Sequence, residues 1–404
     1  MKILVINCGS SSLKYKLFDM NNDSVLAEGK VERIGEKDGI ITHQTVGKEK
    51  VSQIKPMPEH SAAISECLRL LTDAQVGAIQ DLSEIKGIGH RVLHGGEYFK
   101  QSTLVDDTAL HQMEELRELG PLHMPANILG IRSCRTLMPG TPQAAVFDTA
   151  FHSTMPKHAF LYAIPYELYQ RYRIRRYGFH GTSHNYIALR VAQLMKADPK
   201  DLKIISCHLG NGASLAAIDG GKSVDTSMGF TPLEGLMMGT RSGDIDPSAL
   251  EYVMEKEQVP MANIINMLNK HSGLYGIADA GDMRDIVKGV EEQKPMHMLA
   301  YDMYEYRIRK YIGAYIAAMN GVDAIAFTAG IGENTPSLRA KICDNLSYFG
   351  VAINHEINQQ RGEFELSTPE SKIKVYVVPT DEEIMIARDT LKLISENNNK
   401  QEKR

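Results

Sequence analysis

Short apolar runs alternate along this chain with polar, glycine-bearing turns, and at three places an apolar run leads straight into such a turn. Ile3-Leu4-Val5-Ile6 runs into Asn7-Cys8-Gly9-Ser10-Ser11-Ser12-Leu13-Lys14. Ile204-Ile205-Ser206-Cys207 runs into His208-Leu209-Gly210-Asn211-Gly212-Ala213-Ser214-Leu215, and Ala324-Ile325-Ala326-Phe327 into Thr328-Ala329-Gly330-Ile331-Gly332-Glu333-Asn334. Apolar runs of this length bounded by turn formers predict buried strands. After the first turn Leu13, Tyr15 and Leu17 alternate with Lys14 and Lys16, which is strand periodicity, and the second turn resumes as Leu215-Ala216-Ala217-Ile218. Both therefore predict β-hairpins. The shared order of strand, glycine turn, Ser-Leu and strand suggests a duplicated domain, although residue identity between the copies is low.

The remaining pattern fills in an α/β chain. Residues 1–55 read as strands and turns, and 61–71 carry Ala63, Ile64, Leu68 and Leu71 at helical spacing. Ile85 to Leu93 predicts a strand ending in His94-Gly95-Gly96, and Leu110 to Leu119 an amphipathic helix stopped by Gly120-Pro121. Ala144 to Phe147 is a fully apolar strand whose exit carries Asp148. Beyond Gly178-Phe179-His180-Gly181 a helix is expected with Thr182 or Ser183 as N-cap and Ile187, Val191 and Leu194 on one face. Further helices are expected near 299–319, from Thr335-Pro336 onward, and along Ile384, Ala387, Leu391 and Ile394, with the tail from Asn397 fraying. The repeat places a domain boundary near 150; the domains expected are residues 1–150 together with the C-terminal helix at 383–404, and residues 151–382.

Glycines let backbone N–H groups converge on an anion without an intervening Cβ, so three such turns point to a nucleotide phosphate cradle between two related halves. They are not Walker loops, because no G-x-x-x-x-G-K-[ST] occurs. At 404 residues the chain has room for two or three domains, and 45 basic against 50 acidic residues give a net charge of −5. No basic block stands out, which argues against nucleic acid and anionic membrane as partners. The N-terminal apolar run is too short for a signal-peptide core, and no run approaches the ~18 residues needed to span a bilayer. Five scattered cysteines without a C-x-x-C fit buried thiols in a reducing cytoplasm.

Candidate chemistry collects where polar residues interrupt apolar or glycine-rich surroundings. Arg91 ends the strand Gly87-Ile88-Gly89-His90, and Arg241 sits within Gly239-Thr240-Arg241-Ser242-Gly243. A guanidinium fork suits carboxylate or phosphoryl oxygens; a surface ion pair would explain either arginine alone, and the flanking glycines favour function. Asp148, leaving an apolar strand, must be paired, metal-bound or catalytic, or else serve as a buried hydrogen-bond acceptor. His123 lies in the rigid turn Pro121-Leu122-His123-Met124-Pro125. His180 precedes a helix start, where the positive helix end favours neutral imidazole. His180 and His184 stand four apart without a third ligand nearby, so zinc is disfavoured. Thr380 with Glu383 reads as a capping box, which leaves Glu382 as the carboxylate for a magnesium ion.

Taken together, Asn7-Cys-Gly-Ser-Ser-Ser-Leu-Lys14, Gly178-Phe-His-Gly-Thr-Ser-His184, His208-Leu-Gly-Asn-Gly212, the run from Asp225 to Gly235, and Gly330-Ile-Gly-Glu-Asn334 resemble the acetokinase family from residue 3 to about 390. The resemblance implies a duplicated RNase H-like fold of the actin, Hsp70 and sugar-kinase superfamily, with a nucleotide in an inter-domain cleft and a cytoplasmic homodimer. It implies reversible transfer of the ATP γ-phosphoryl group to acetate, giving acetyl phosphate and ADP, with Mg²⁺ (or Mn²⁺). By the same resemblance Asn7 and Glu382 hold the metal and Lys14 the nucleotide. His208, Leu209, Gly210, Asn211, Gly212, Asp282, Met283, Arg284, Gly330, Ile331, Gly332, Glu333 and Asn334 line the ATP site. Arg91 binds the substrate carboxylate, Asp148 is an acid/base or positioning carboxylate, His180 and Arg241 stabilise the transition state, and His123 supports them. The acyl pocket falls to Leu93, Leu122, Phe179 and Pro232.

Three positions depart from the family's usual residues: Ala329 (often Gly), Asp381 (often Asn) and Leu93 (commonly Val). Leu93 should narrow the pocket and favour acetate, each extra methylene being worth ~1–3 kcal/mol. A propionate or butyrate kinase is the alternative within the family, and an actin- or Hsp70-like ATPase the alternative outside it.

Overall fold

The computed structural model describes residues 1–121 and 123–402. It divides into two compact units, the first comprising Met1–Phe151 together with the segment from Asp381 onward, the second His152–Thr380.

The first unit is built on eight strands: β1 (Lys2–Cys8), β2 (Ser12–Asp19), β3 (Ser24–Glu32), β4 (Gly39–Thr45), β5 (Val51–Lys55), β6 (Ile85–Val92), β7 (Thr103–Leu104) and β8 (Gln143–Phe147). Their order is β5-β4-β3-β2-β1-β6-β8-β7, with β1 antiparallel to β2 and parallel to β6, and β6 parallel to β8. The second unit has β9 (Lys203–Leu209), β10 (Ala213–Asp219), β11 (Lys222–Thr226), β12 (Ala324–Thr328), β13 (Phe364–Glu365) and β14 (Lys374–Val377) in the order β11-β10-β9-β12-β14-β13. There β9 is antiparallel to β10 and parallel to β12, which is parallel to β14. The succession β3-β2-β1-β6-β8 thus recurs as β11-β10-β9-β12-β14, an antiparallel meander followed by two parallel strands. This is a duplicated RNase H-like α/β fold, and the repeat read from the glycine turns is a repeat of whole sheets.

Period-two alternation decides what each sheet face meets. Leu4, Ile6 and Cys8 of β1 join Leu13, Tyr15 and Leu17 of β2 in a core shared with the His60–Leu71 and Met124–Leu137 helices. Each such buried aliphatic contributes roughly 1.5–3 kcal/mol. On the opposite face Gly87 and Gly89 admit the Glu382–Glu402 helix closely: a Cβ at Gly87 would lie 2.3 Å from Ile394 Cδ1, and one at Gly89 2.5 Å from Thr390 Oγ1.

Several local expectations are corrected. The helix expected over 110–119 starts earlier, at Asp107–Glu115, because Asp106 accepts from the Ala109 N–H at 2.7 Å; a 3₁₀ turn, Leu116–Leu119, follows. The third glycine turn is itself a short helix, Ala329–Asn334, whose end carbonyls at Gly332 and Glu333 accept from Arg339 Nη1 at 2.8 Å. The N-cap of the Gly181–Met195 helix is His180, in the left-handed region at φ 56°; Thr182 and Ser183 lie in the first turn. The expected capping box is absent: Asp381 Oδ1 accepts from the Ile384 N–H at 3.0 Å, while Thr380 Oγ1 bonds to Ser183. The last helix continues past Asn397 to Glu402 instead of fraying. No helix among the described residues is long and apolar enough to cross a membrane.

Candidate active site

In the first unit the chemistry stands at the exits of parallel strands. Arg91 pairs in register with Val146, and Val92 with Phe147, so Arg91 and Asp148 leave adjacent strands side by side. Arg91 donates from Nε and Nη2 to the two carboxylate oxygens of Asp148, each at 2.9 Å, and Glu382 Oε2 lies 3.5 Å from Arg91 Nε. The Asp148 side chain is 2% exposed. Burial pushes its carboxyl upward, and the guanidinium opposes that push. The two-point geometry is that of a carboxylate ion bound to a cation. On Arg91, burial disfavours the charge, and Asp148 and Glu382 more than restore it.

Around this pair the strand ends are fixed by further hydrogen bonds. The Asp148 N–H donates to the Val92 carbonyl at 3.0 Å, and the Gly95 N–H to Thr149 Oγ1 at 2.9 Å. Half-buried Leu93 packs against the cluster that contains Phe99, Met113 and Phe147. His123 is the N-cap residue of the Met124–Leu137 helix, exposed, and close enough to Asp148 to favour its ionised form. Leu122 lies outside the described residues. Asn7 faces Lys14 across the β1–β2 hairpin, whose turn is closed by the Gly9 N–H donating to the Ser12 carbonyl at 2.8 Å. Glu383, ion-paired to Lys16, lines with Asn7 and Lys14 a cavity of about 300 Å³ on this sheet.

In the second unit the β9–β10 turn gathers a separate set. The Gly210 N–H donates to the Gly212 carbonyl at 3.1 Å, and the Gly239 N–H to the Asn211 carbonyl at 3.0 Å. A Cβ at Gly212 would stand 3.3 Å from Arg241 Nη1 and 3.8 Å from His180 Cε1. One at Gly239 would strike Asn211 Oδ1 at 2.0 Å and approach the Gly281 carbonyl at 2.8 Å. These glycines bring His180, His208, Asn211 and Arg241 together with the segment that continues into Asp282, Met283 and Arg284. Asp282 caps the Met283–Glu291 helix through the Arg284 N–H at 2.8 Å, and its salt-bridging hydrogen bonds to Arg284 hold the carboxyl down at about 2.

His180 and His208 stack with ring centroids 4.1 Å apart. His180 Nδ1 bonds Ser214 Oγ at 2.9 Å, and His208 Nδ1 bonds Ser183 Oγ at 2.8 Å. Behind them His184 bonds Ser206 and Ser214; burial drives it far below the usual imidazole range, so it is neutral. Both ring nitrogens of His184 are thereby occupied by hydroxyls, and no metal-binding cluster of His, Cys, Asp and Glu exists among the described residues.

Arg241 Nη1 donates to the Pro232 carbonyl at 3.3 Å, and burial lowers the guanidinium's pKa. No carboxylate lies within 4.0 Å of it among the described residues. Buried Phe179 accepts at its carbonyl from His152 Nε2 at 2.9 Å. Ala329 enters the Ala329–Asn334 helix at φ 64°, a conformation costly for any side chain and free for glycine. Gly330, Ile331, Gly332 and Asn334 lie on this helix, with Asn334 Nδ2 donating to the Gly330 carbonyl at 2.8 Å. Burial raises the Glu333 carboxyl against hydrogen bonds from the Thr380 and Ala329 backbones.

Sequence reasoning missed the serines and Thr380 that orient His180 and His208, and the buried Arg339. A hydroxyl on alternate positions of an otherwise apolar strand, as at Ser206 and Ser214, was the available signal.

The chain matches the model of the acetokinase family over residues 2–388. It is 55% identical over 397 residues to the acetate kinase of Thermoanaerobacter pseudethanolicus, covering 98% of this chain and 99% of that one. It is 56% identical over 398 residues to the acetate kinase of Fervidobacterium nodosum, covering 98% of each. The fold superposes on the crystal structure of Porphyromonas gingivalis acetate kinase with a TM-score of 0.94 at 46% identity, covering 97% of this chain and 99% of that one. A propionate kinase from Francisella tularensis gives 0.91 at 40% identity, covering 97% and 99%. The protein is therefore a phosphotransferase whose acceptor is a carboxyl group. This chain belongs to the acetokinase family.

Proposed function

We propose that the chain transfers the γ-phosphoryl group of ATP reversibly to acetate, that the residues just described carry the reaction, and that the two units are the two domains of the enzyme. The observation that carries this reading is the side-on pairing of Arg91 with Asp148, which leaves the end-on pair of guanidinium N–H groups for a second carboxylate. Acetate is already ionised at neutral pH, so Asp148 has no proton to remove. Its role is to hold Arg91 in plane and balance its charge. Leu93, Leu122, Phe179 and Pro232 are assigned to the methyl group.

Two anions must meet for transfer to occur. Among the described residues no carboxylate pairs with Arg241, which so offers its charge to the moving phosphoryl group, with His180 beside it. Lys14, the His208–Gly212 turn, Asp282 to Arg284 and Gly330 to Asn334 are assigned to the nucleotide. Asn7 and Glu382 present one amide and one carboxylate oxygen, a sparse hard-donor set that suits Mg²⁺ carrying phosphate oxygens and water. When bound, that ion supplies charge neutralisation of the phosphates.

A cytoplasmic homodimer completes the proposal. All five cysteines are free and buried, as a reducing compartment permits. Exposed apolar side chains on helices of the second unit, among them Tyr252, Met261, Ile265, Met298, Leu299 and Tyr306, suit a contact with a second copy.

A hydroxamate assay with ATP, Mg²⁺ and acids of increasing length tests the reading. The highest kcat/KM is expected for acetate. A higher value for propionate, which the likeness to a propionate kinase makes the second reading, would replace it. Full-rate ATP hydrolysis without any acid would sink both.

A further inference from the structure

We propose that Asn127 is a positioning residue that sets the spacing between the turn after Asn7 and the strand end bearing Arg91 and Leu93. This rests on the function proposed above. The parallel pairing of β1 with β6 ends at Ile6 and His90; beyond that point the strands part. Parting strands leave backbone groups without ladder partners, and buried ones must be satisfied elsewhere. Asn127, 6% exposed on the Met124–Leu137 helix, fills the gap. Its Nδ2 donates to the Cys8 carbonyl at 2.7 Å, and its Oδ1 accepts from the Leu93 N–H at 3.0 Å. Its own N–H donates to the His123 carbonyl at 3.0 Å. One side chain therefore ties together the segments that carry Asn7 and Leu93, from a helix whose N-cap residue is His123.

A carboxamide supplies its donor and its acceptor on two separate atoms, whereas a hydroxyl combines both on one oxygen. Asparagine at this position acts as a detached rung of the β1–β6 ladder, holding the strands apart by a fixed amount. Aspartate keeps the acceptor for Leu93 and sets a charge against the Cys8 carbonyl. Alanine removes both bonds.

The test compares Asn127→Asp and Asn127→Ala with Cys134→Ala, a cavity variant in the same core and on the same helix. Steady-state rates are measured with acetate and with propionate, alongside thermal midpoints. Asn127→Asp and Asn127→Ala are expected to lower kcat/KM for acetate about 10- to 100-fold, the scale of an ångström-sized misplacement. They should also change the acetate-to-propionate ratio severalfold, while the KM for ATP stays within about twofold. Cys134→Ala should lower the thermal midpoint and leave the ratio alone. An unchanged ratio in both Asn127 variants, an equal change in Cys134→Ala, or loss of the fold in both Asn127 variants would overturn the proposal. If the unmutated enzyme favours another acid, the functional reading fails first, and the same ratios measured with that acid still decide the role of Asn127.

Discussion

Arg91 and Arg241 are two arginines at glycine-flanked positions, one in each unit, and their electrostatic settings are opposite. Arg91 is bound at two points by a buried carboxylate and approached by a second at 3.5 Å. Arg241 has a carbonyl and a thioether as hydrogen-bond partners, and burial alone acts on its pKa, downward. A neutralised guanidinium orients an anion with little change in net charge. One without a counter-ion attracts whatever negative charge develops beside it. In this pair, position in the fold divides the labour that residue type leaves undivided.

The strongest break in that comparison is Arg241→Ala. It should cut kcat by about 10³- to 10⁵-fold, with a smaller change in acetate KM and a nearly unchanged melting temperature. Near-normal turnover would remove Arg241 from its assigned role. Next, Arg91→Ala strands Asp148 as a buried charge and should lower stability by about 3–5 kcal/mol as well as abolish activity, read by denaturant titration. Equal stability losses in the two arginine variants would erase the contrast.

A third test uses acid. Burial holds His90 in the first unit and His152 in the second at about 4, below the usual 6.5. Between those values the unfolded chain binds protons that the folded chain refuses, so stability falls as pH drops from 6.5 towards 4. The loss should be roughly 2 kcal/mol per histidine at pH 5, and replacing either histidine by glutamine should flatten the unfolding profile there. The smallest effect belongs to Leu93→Val, which should move the propionate-to-acetate ratio of kcat/KM upward by about tenfold or less.

Much of the fold could be read from the chain because its signals are local. Strand runs bounded by glycine turns located β1, β9 and β12, and their resemblance to one another foretold two sheets of one design. Helix starts were harder. Asp106 and Asp381 cap from positions that a periodicity argument passes over, and Ser183 looked like a cap while its hydroxyl serves His208 and Thr380. Within the candidate site, Arg91 and Asp148 stood out as polar residues at apolar strand exits. Their pairing depends on β6 and β8 being neighbours, 57 residues apart in sequence. Asn127 gave no local sign, because its partners are backbone groups 34 and 119 residues away.

The close seat of the Glu382–Glu402 helix on Gly87 and Gly89 bears on how the protein is made. In the chain the second unit is a continuous stretch from His152 to Thr380, complete before that helix begins. The first unit, begun earliest, keeps one sheet face bare until the last segment arrives. A released chain truncated after residue 380 should therefore resist protease in its second unit and be cut in its first.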